Sequence, residues 1–167
     1  LLGGSGNDII AGYGDSQNTE TGGDDIIDGG SGDDTIMGFV GNDQIQGGSG
    51  NDQISGGLGN DVILAGAGAD SVMGGDGVDW IEGGAGVDRL SGGAGADTIQ
   101  GGDDNDTIIG GIGVDYLLGG LGDDTFNWQQ GDENDAYISG GDGTDNYTLK
   151  TYELDENGLP VSETPVA

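Results

Sequence analysis

Neither cysteine nor histidine occurs among the 167 residues. Without cysteine there is no disulfide, no thiolate nucleophile and no zinc–thiolate site. Without histidine the chain lacks the commonest metal ligand and the commonest general base. Only two residues are basic, Arg89 and Lys150, against 32 acidic ones, and the formal net charge is −30. Nucleic acids and anionic membranes are held through clustered Lys and Arg, so this balance argues against both and for cations. A chain so charged repels itself unless counterions neutralise it. No apolar run approaches the roughly 18 residues of a membrane span. Aromatics are scarce, with two Trp, five Tyr and two Phe, most of them from Tyr116 onward.

What is abundant is glycine, 42 residues. Such a content without a period reads as low-complexity disorder, but here there is a period. From Gly29 to Asn127 the chain is written in units of nine, eleven of them, without insertion or deletion. The sixth position is Asp34, Asp43, Asp52, Asp61, Asp70, Asp79, Asp88, Asp97, Asp106, Asp115 and Asp124. The eighth is always apolar: Ile36, Ile45, Ile54, Ile63, Val72, Ile81, Leu90, Ile99, Ile108, Leu117 and Phe126. A further unit at 3–11 carries Asp8 and Ile10, and another at 140–148 carries Asp145 and Tyr147. Between them, the stretch 22–28 keeps Gly23, Asp25 and Ile27 in phase. The ten residues before it are expected to loop out, and 128–139 holds twelve residues in place of nine.

The physical reading takes the first six positions as a turn and the last three as a strand. Glycine enters conformations other residues reach only at a cost, and missing side chains let carbonyl oxygens converge. Calcium takes six to eight oxygen ligands at about 2.3–2.6 Å. Carbonyls would supply neutral oxygens and the Asp would supply charge. In the strand triplet, alternation places the eighth residue on one face and its neighbours on the other.

The pattern resembles the GGxGxDxUx nonapeptide of calcium-binding RTX proteins, in which U is a large apolar residue. The resemblance spans 3–148 with two interruptions. It implies an all-β parallel β-roll: a solenoid of 18-residue coils with two short parallel sheets, strand n pairing with n+2, and the eighth residue inward. It also implies calcium between stacked turns, held by the Asp of both turns and by carbonyls of the first four positions. The carbonyl candidates of the early repeats are Gly29, Gly30, Gly32, Gly38, Gly41, Gly47, Gly48, Gly50, Gly56, Gly57 and Gly59. Those of the middle repeats are Gly66, Gly68, Gly74, Gly75, Gly77, Gly83, Gly84, Gly86, Gly92, Gly93 and Gly95. Gly101, Gly102, Gly110, Gly111, Gly113, Gly119, Gly120 and Gly122 complete the set. Asp8, Asp25 and Asp145 extend the Asp series at the ends.

With 18-residue coils, one edge carries Asp34, Asp52, Asp70, Asp88, Asp106 and Asp124, and the other Asp43, Asp61, Asp79, Asp97 and Asp115. That arrangement predicts about nine sandwiched calcium ions within 29–127, with a few more at the ends. Three repeats depart from the pattern, with Phe39 at a second position, Ala65 at a first and Asp104 at a fourth. Sites at these turns are expected to be weaker or distorted. The chain divides into an N-terminal repeat and loop at 1–28, the regular roll at 29–127, and an irregular repeat with a C-terminal cap at 128–167. The cap is expected to use Phe126, Trp128, Tyr137, Tyr147, Leu149, Tyr152 and Leu154.

Catalysis is not expected of this segment, since the carboxylates are engaged and no His or Cys is present. The turns lack the Lys of a phosphate-binding loop. The resemblance implies a calcium-responsive folding module of a larger secreted bacterial protein, exported by type I secretion and folded outside the cell. The alternatives are the accessory roll of a secreted protease, lipase or alginate epimerase, or a segment of a surface adhesin or S-layer protein. One outward face gathers Val62, Leu64, Trp80, Tyr116 and Leu118, a candidate docking surface for another protein. The opposite face offers mainly Thr35, Ser71, Arg89 and Thr125, with Met37, Met73 and Ile109.

Overall fold

A computed structural model describes residues 1–12, 22–127 and 137–147. Among the described residues every element is a strand. In chain order they are β1 (Leu2–Ser5), β2 (Ile9–Ala11), β3 (Ile26–Ser31), β4 (Thr35–Val40), β5 (Gln44–Ser49), β6 (Gln53–Leu58), β7 (Val62–Ala67) and β8 (Ser71–Asp76). They continue as β9 (Trp80–Ala85), β10 (Arg89–Ala94), β11 (Thr98–Asp103), β12 (Thr107–Ile112), β13 (Tyr116–Leu121), β14 (Thr125–Phe126), β15 (Tyr137–Asp142) and β16 (Asn146–Tyr147). The odd-numbered strands form one parallel sheet of eight and the even-numbered strands another, each in sequence order. Strand n pairs with n+2, as in Gln44↔Val62 and Val62↔Trp80, so one coil is 18 residues. The chain is a parallel β-solenoid, as the resemblance to RTX repeats implied.

The coil differs from expectation in one respect. Its regular strands hold six residues, such as Gln44–Ser49, where three were predicted. The ladder runs on through the first three turn positions, pairing Gly48 with Gly66 and Ser49 with Ala67. Parallel pairing needs only backbone N–H and C=O groups, and glycines stacked on glycines present those groups unobstructed. The true turn is the three residues that follow. Gly50 at its start has φ +125°, and its N–H donates to the carbonyl of Ala67 in the next coil at 2.8 Å. Only glycine adopts such a backbone freely.

Between the sheets runs a single double column of apolar side chains. Ile27, Ile45, Ile63, Ile81, Ile99 and Leu117 come from one sheet, and Ile10, Ile36, Ile54, Val72, Leu90, Ile108 and Phe126 from the other; all are buried. Insertions are absorbed without loss of phase. Ile9 pairs with Thr35, 26 residues on, so the first coil of that sheet takes in eight extra residues. Tyr116 pairs with Tyr137, 21 residues on. Their rings stack at 4.8 Å, and Phe126 stacks on Tyr147 at 5.2 Å. The expected loop before Gly22 lies outside the described residues, except for Gly12. So does most of the expected cap, including Trp128, Leu149, Tyr152 and Leu154.

The outward faces differ as the sequence suggests. Val62, Trp80, Tyr116 and Tyr137 are exposed on the odd-numbered sheet. The even-numbered sheet carries a shallow groove whose walls include Thr35, Gln53, Ser71, Arg89 and Thr107 on one side and Met37, Ser55, Met73 and Ser91 on the other.

Candidate metal centre

Each sixth-position Asp closes a three-residue turn and directly precedes the next strand, at the edge of the roll. The result is two rows of stacked carboxylates. Asp34, Asp52, Asp70, Asp88, Asp106 and Asp124 lie along one edge, and Asp43, Asp61, Asp79, Asp97 and Asp115 along the other; none is more than 2% exposed. Within a row the backbone N–H of one Asp donates to Oδ1 of the Asp in the next coil. The bond is 2.8 Å from Asp34 to Asp52, 2.8 Å from Asp52 to Asp70 and 2.9 Å from Asp61 to Asp79.

The rows reach past the regular repeats. Asp8 donates to Asp34 and Asp25 to Asp43, while Asp124 donates to Asp145 at 3.1 Å. Asp8, Asp25 and Asp145 therefore continue the two rows beyond the regular repeats, across both insertions.

Oδ1 is thus satisfied, and Oδ2 is not. Thirteen Oδ2 atoms, from Asp8 through Asp124, are buried with no hydrogen-bond partner. Leaving an anionic oxygen unpaired in a dry site is expensive. Burial is accordingly the largest cause of the raised pKa of Asp43, Asp52, Asp61, Asp70, Asp79, Asp88, Asp97, Asp106 and Asp124, with neighbouring carboxylates adding to it. Asp61 and Asp88 are pushed up to about 6, and Asp97 and Asp106 up to about 7, from the ordinary 3.8.

The orphan oxygens face backbone oxygens. A Cβ placed on Gly47 would lie 2.6 Å from Oδ2 of Asp52 and 2.5 Å from the carbonyl oxygen of Ala65 in the next coil. A carboxylate oxygen and a carbonyl oxygen therefore converge on the bare α-carbon of the first glycine. The three glycines serve two purposes. The second and fourth, such as Gly48 at φ +114° and Gly50 at +125°, are needed for backbone conformation. The first has no positive φ, and is needed for space beside the oxygens.

Among the described residues no three acidic side chains meet at one point. A cation between stacked turns would take one or two carboxylates and draw its other oxygens from carbonyls. That mixed, all-oxygen donor set suits a hard cation such as calcium, and the partnerless anionic oxygens fit it.

A second ladder was missed from the sequence. Position five, directly before the Asp, is often Asn or Asp, and its side-chain oxygen accepts the N–H of the same position in the following coil. Asn51 donates to Asp33 at 2.8 Å, Ala69 to Asn51 at 2.7 Å and Val78 to Asn60 at 2.7 Å. This ladder points forward along the roll, whereas the Asp ladder points back. Its signal was the Asn shared by neighbouring repeats, as in Asn51 and Asn60.

Among curated proteins, nothing matches the chain. A four-copy model of the RTX calcium-binding nonapeptide repeat matches residues 1–16, 21–54, 37–72, 55–90, 64–99 and 91–126. With the solenoid, the stacked turns and the two Asp rows already in place, this match shows that the chain belongs to the family of RTX calcium-binding nonapeptide repeats.

Proposed function

We propose that this chain is a non-catalytic module that folds when calcium binds, within a larger secreted bacterial protein. The observation that carries the reading is the set of thirteen buried carboxylate oxygens without partners. A bound divalent cation would supply the positive charge these oxygens lack. The chain's own residues do the rest. The Asp rows set one anionic oxygen at each turn, the glycines bring carbonyls to it, and the apolar column holds the coils in register.

The regular repeats provide for about nine ions, and the end residues Asp8, Asp25 and Asp145 extend both rows. Nine divalent ions, with eighteen positive charges, would cancel more than half of the net charge of −30. Without them, self-repulsion and the entropy of ordering so many glycines oppose a core only one double column wide. Such a chain stays unfolded where calcium is scarce, as in the cytosol, and folds where calcium is at the millimolar levels served by extracellular modules. This difference suits type I export of an unfolded chain. The exposed Val62, Leu64, Trp80 and Tyr116, with the half-buried Leu118, form the surface best suited to docking another part of the parent protein.

Far-UV circular dichroism tests the reading. In chelator the spectrum should be that of a disordered chain, and calcium should restore β structure. Magnesium should do so poorly, because it demands near-octahedral geometry and dehydrates reluctantly. A cooperative β-sheet melt in chelator would overturn the proposal.

A further inference from the structure

In the row that begins at Asp8, the first position of each regular repeat is Gly29, Gly47, Ala65, Gly83, Gly101 and Gly119. At the glycines the α-carbon is pressed against the converging oxygens. A Cβ on Gly47 would lie 2.6 Å from Oδ2 of Asp52 and 2.5 Å from the Ala65 carbonyl oxygen. On Gly83 it would lie 2.5 Å from Oδ2 of Asp88 and 2.6 Å from the Gly101 carbonyl oxygen. Such distances are far inside the ordinary 3.5–4 Å contact of non-bonded heavy atoms.

Ala65, between these two in the row, carries that Cβ and is fully buried, at 0% exposure. Its counterparts in space are Oδ2 of Asp70 and the carbonyl oxygen of Gly83. A methyl group at this position takes up room that the glycine positions leave to the oxygens. The stacking around them is undisturbed. Asp52 donates to Oδ1 of Asp70 and Asp70 to Oδ1 of Asp88, both at 2.8 Å, as elsewhere in the row. Oδ2 of Asp70 remains buried without a hydrogen-bond partner. The substitution therefore touches the cage and spares the coil.

We propose that Ala65 silences the cation site between the turns of Asp70 and Asp88. The inference rests on the calcium reading above. The row then carries a gap that separates the Asp34, Asp52 and Asp70 turns from the Asp88, Asp106 and Asp124 turns. The opposite row has Gly38, Gly56, Gly74, Gly92 and Gly110 at its first positions and is unbroken. Within the regular repeats the first edge then keeps four of its five intervals, the same number as the other edge, and the gap is set by one methyl group.

Native mass spectrometry of the full chain in calcium counts the ions. The variant Ala65→Gly should bind one ion more than the unaltered chain, and Gly83→Ala one fewer. Equal counts for the unaltered chain and Ala65→Gly would overturn the proposal while leaving the calcium reading intact. Binding of no calcium by either chain would overturn both. Should Gly83→Ala fail to fold, Ala65→Gly decides alone, since it restores the residue found at every other first position of that row in the regular repeats.

Discussion

The backbone N–H of Asp61 donates a 2.9 Å hydrogen bond to Oδ1 of Asp79, while Oδ2 of Asp79 stays buried without a partner. One carboxylate thus serves two coils, closing the backbone of one and offering charge toward the next. Asp79 in turn donates to Asp97, which places it in mid-row with an interval on either side. Asp79→Ala should lower the number of bound calcium ions by about two, and Asp8→Ala, at the end of the other row, by at most one. Isothermal titration calorimetry gives both counts, and equal losses would contradict ions sandwiched between turns.

Calcium binding should weaken in acid, and the metal-free roll should do the opposite. Burial raises Asp61 and Asp88 to about 6 and Asp97 and Asp106 to about 7. A folded-state pKa above the unfolded value means that the metal-free folded chain binds more protons than the unfolded chain. Any stability of the metal-free roll is therefore greatest below about pH 4 and falls as pH rises toward 7. With calcium, those protons must leave before the ion is bound. The calcium concentration at the folding midpoint should rise by on the order of tenfold or more between pH 8 and pH 5. Titrations followed by circular dichroism at several pH values read this directly, and a midpoint independent of pH would be the contrary result.

Phe39 sits at a second position in β4 with φ +76°, where every other regular repeat has glycine. A left-handed backbone costs a non-glycine residue roughly 1–2 kcal/mol, and the Phe39 side chain is 41% exposed. Phe39→Gly should stabilise the calcium-loaded chain by about 1 kcal/mol. A raised melting temperature at fixed calcium would bear this out.

Position five lacks a side-chain acceptor at Ala69, Val78, Val87 and Ala96, so the forward ladder is broken in mid-roll. Val78 is also 56% exposed, and little packing is lost by changing it. Val78→Asn should extend the ladder to the N–H of Ala96 and stabilise the loaded chain by about 0.5 kcal/mol. Asn60→Ala removes the existing bond to Val78 and should destabilise it by about 1 kcal/mol. Thermal melts of the two variants should move in opposite directions.

Much of this molecule is legible in its sequence because its structure is one-dimensional. Asp34 through Asp124 state the period, Ile36 through Phe126 state the apolar position, and the resemblance to RTX repeats implies that alternate strands belong to opposite sheets. What escaped has physical reasons. The ladder through Gly48 and Ser49 is made by backbone groups that leave no residue signature. The direction of the Asp bonds depends on which carboxylate oxygen reaches the previous coil. The role of Asn51 is visible only when position five of one coil is set above position five of the next. The separate roles of Gly47 and Gly48 look identical in sequence, and only a positive φ at one of them tells the two apart.

The dependence of this fold on its cations is tested most directly at the Asp amides themselves. Hydrogen exchange can be followed residue by residue at the N–H groups of Asp34, Asp52, Asp61, Asp79 and Asp97, with calcium and in chelator. With calcium these amides should be strongly protected, because each donates to a buried carboxylate of the next coil. In chelator they should exchange at the rate of an unstructured chain, all together. Protection that persists in chelator would show that the carboxylate rows stand without a cation, and would contradict calcium-coupled folding.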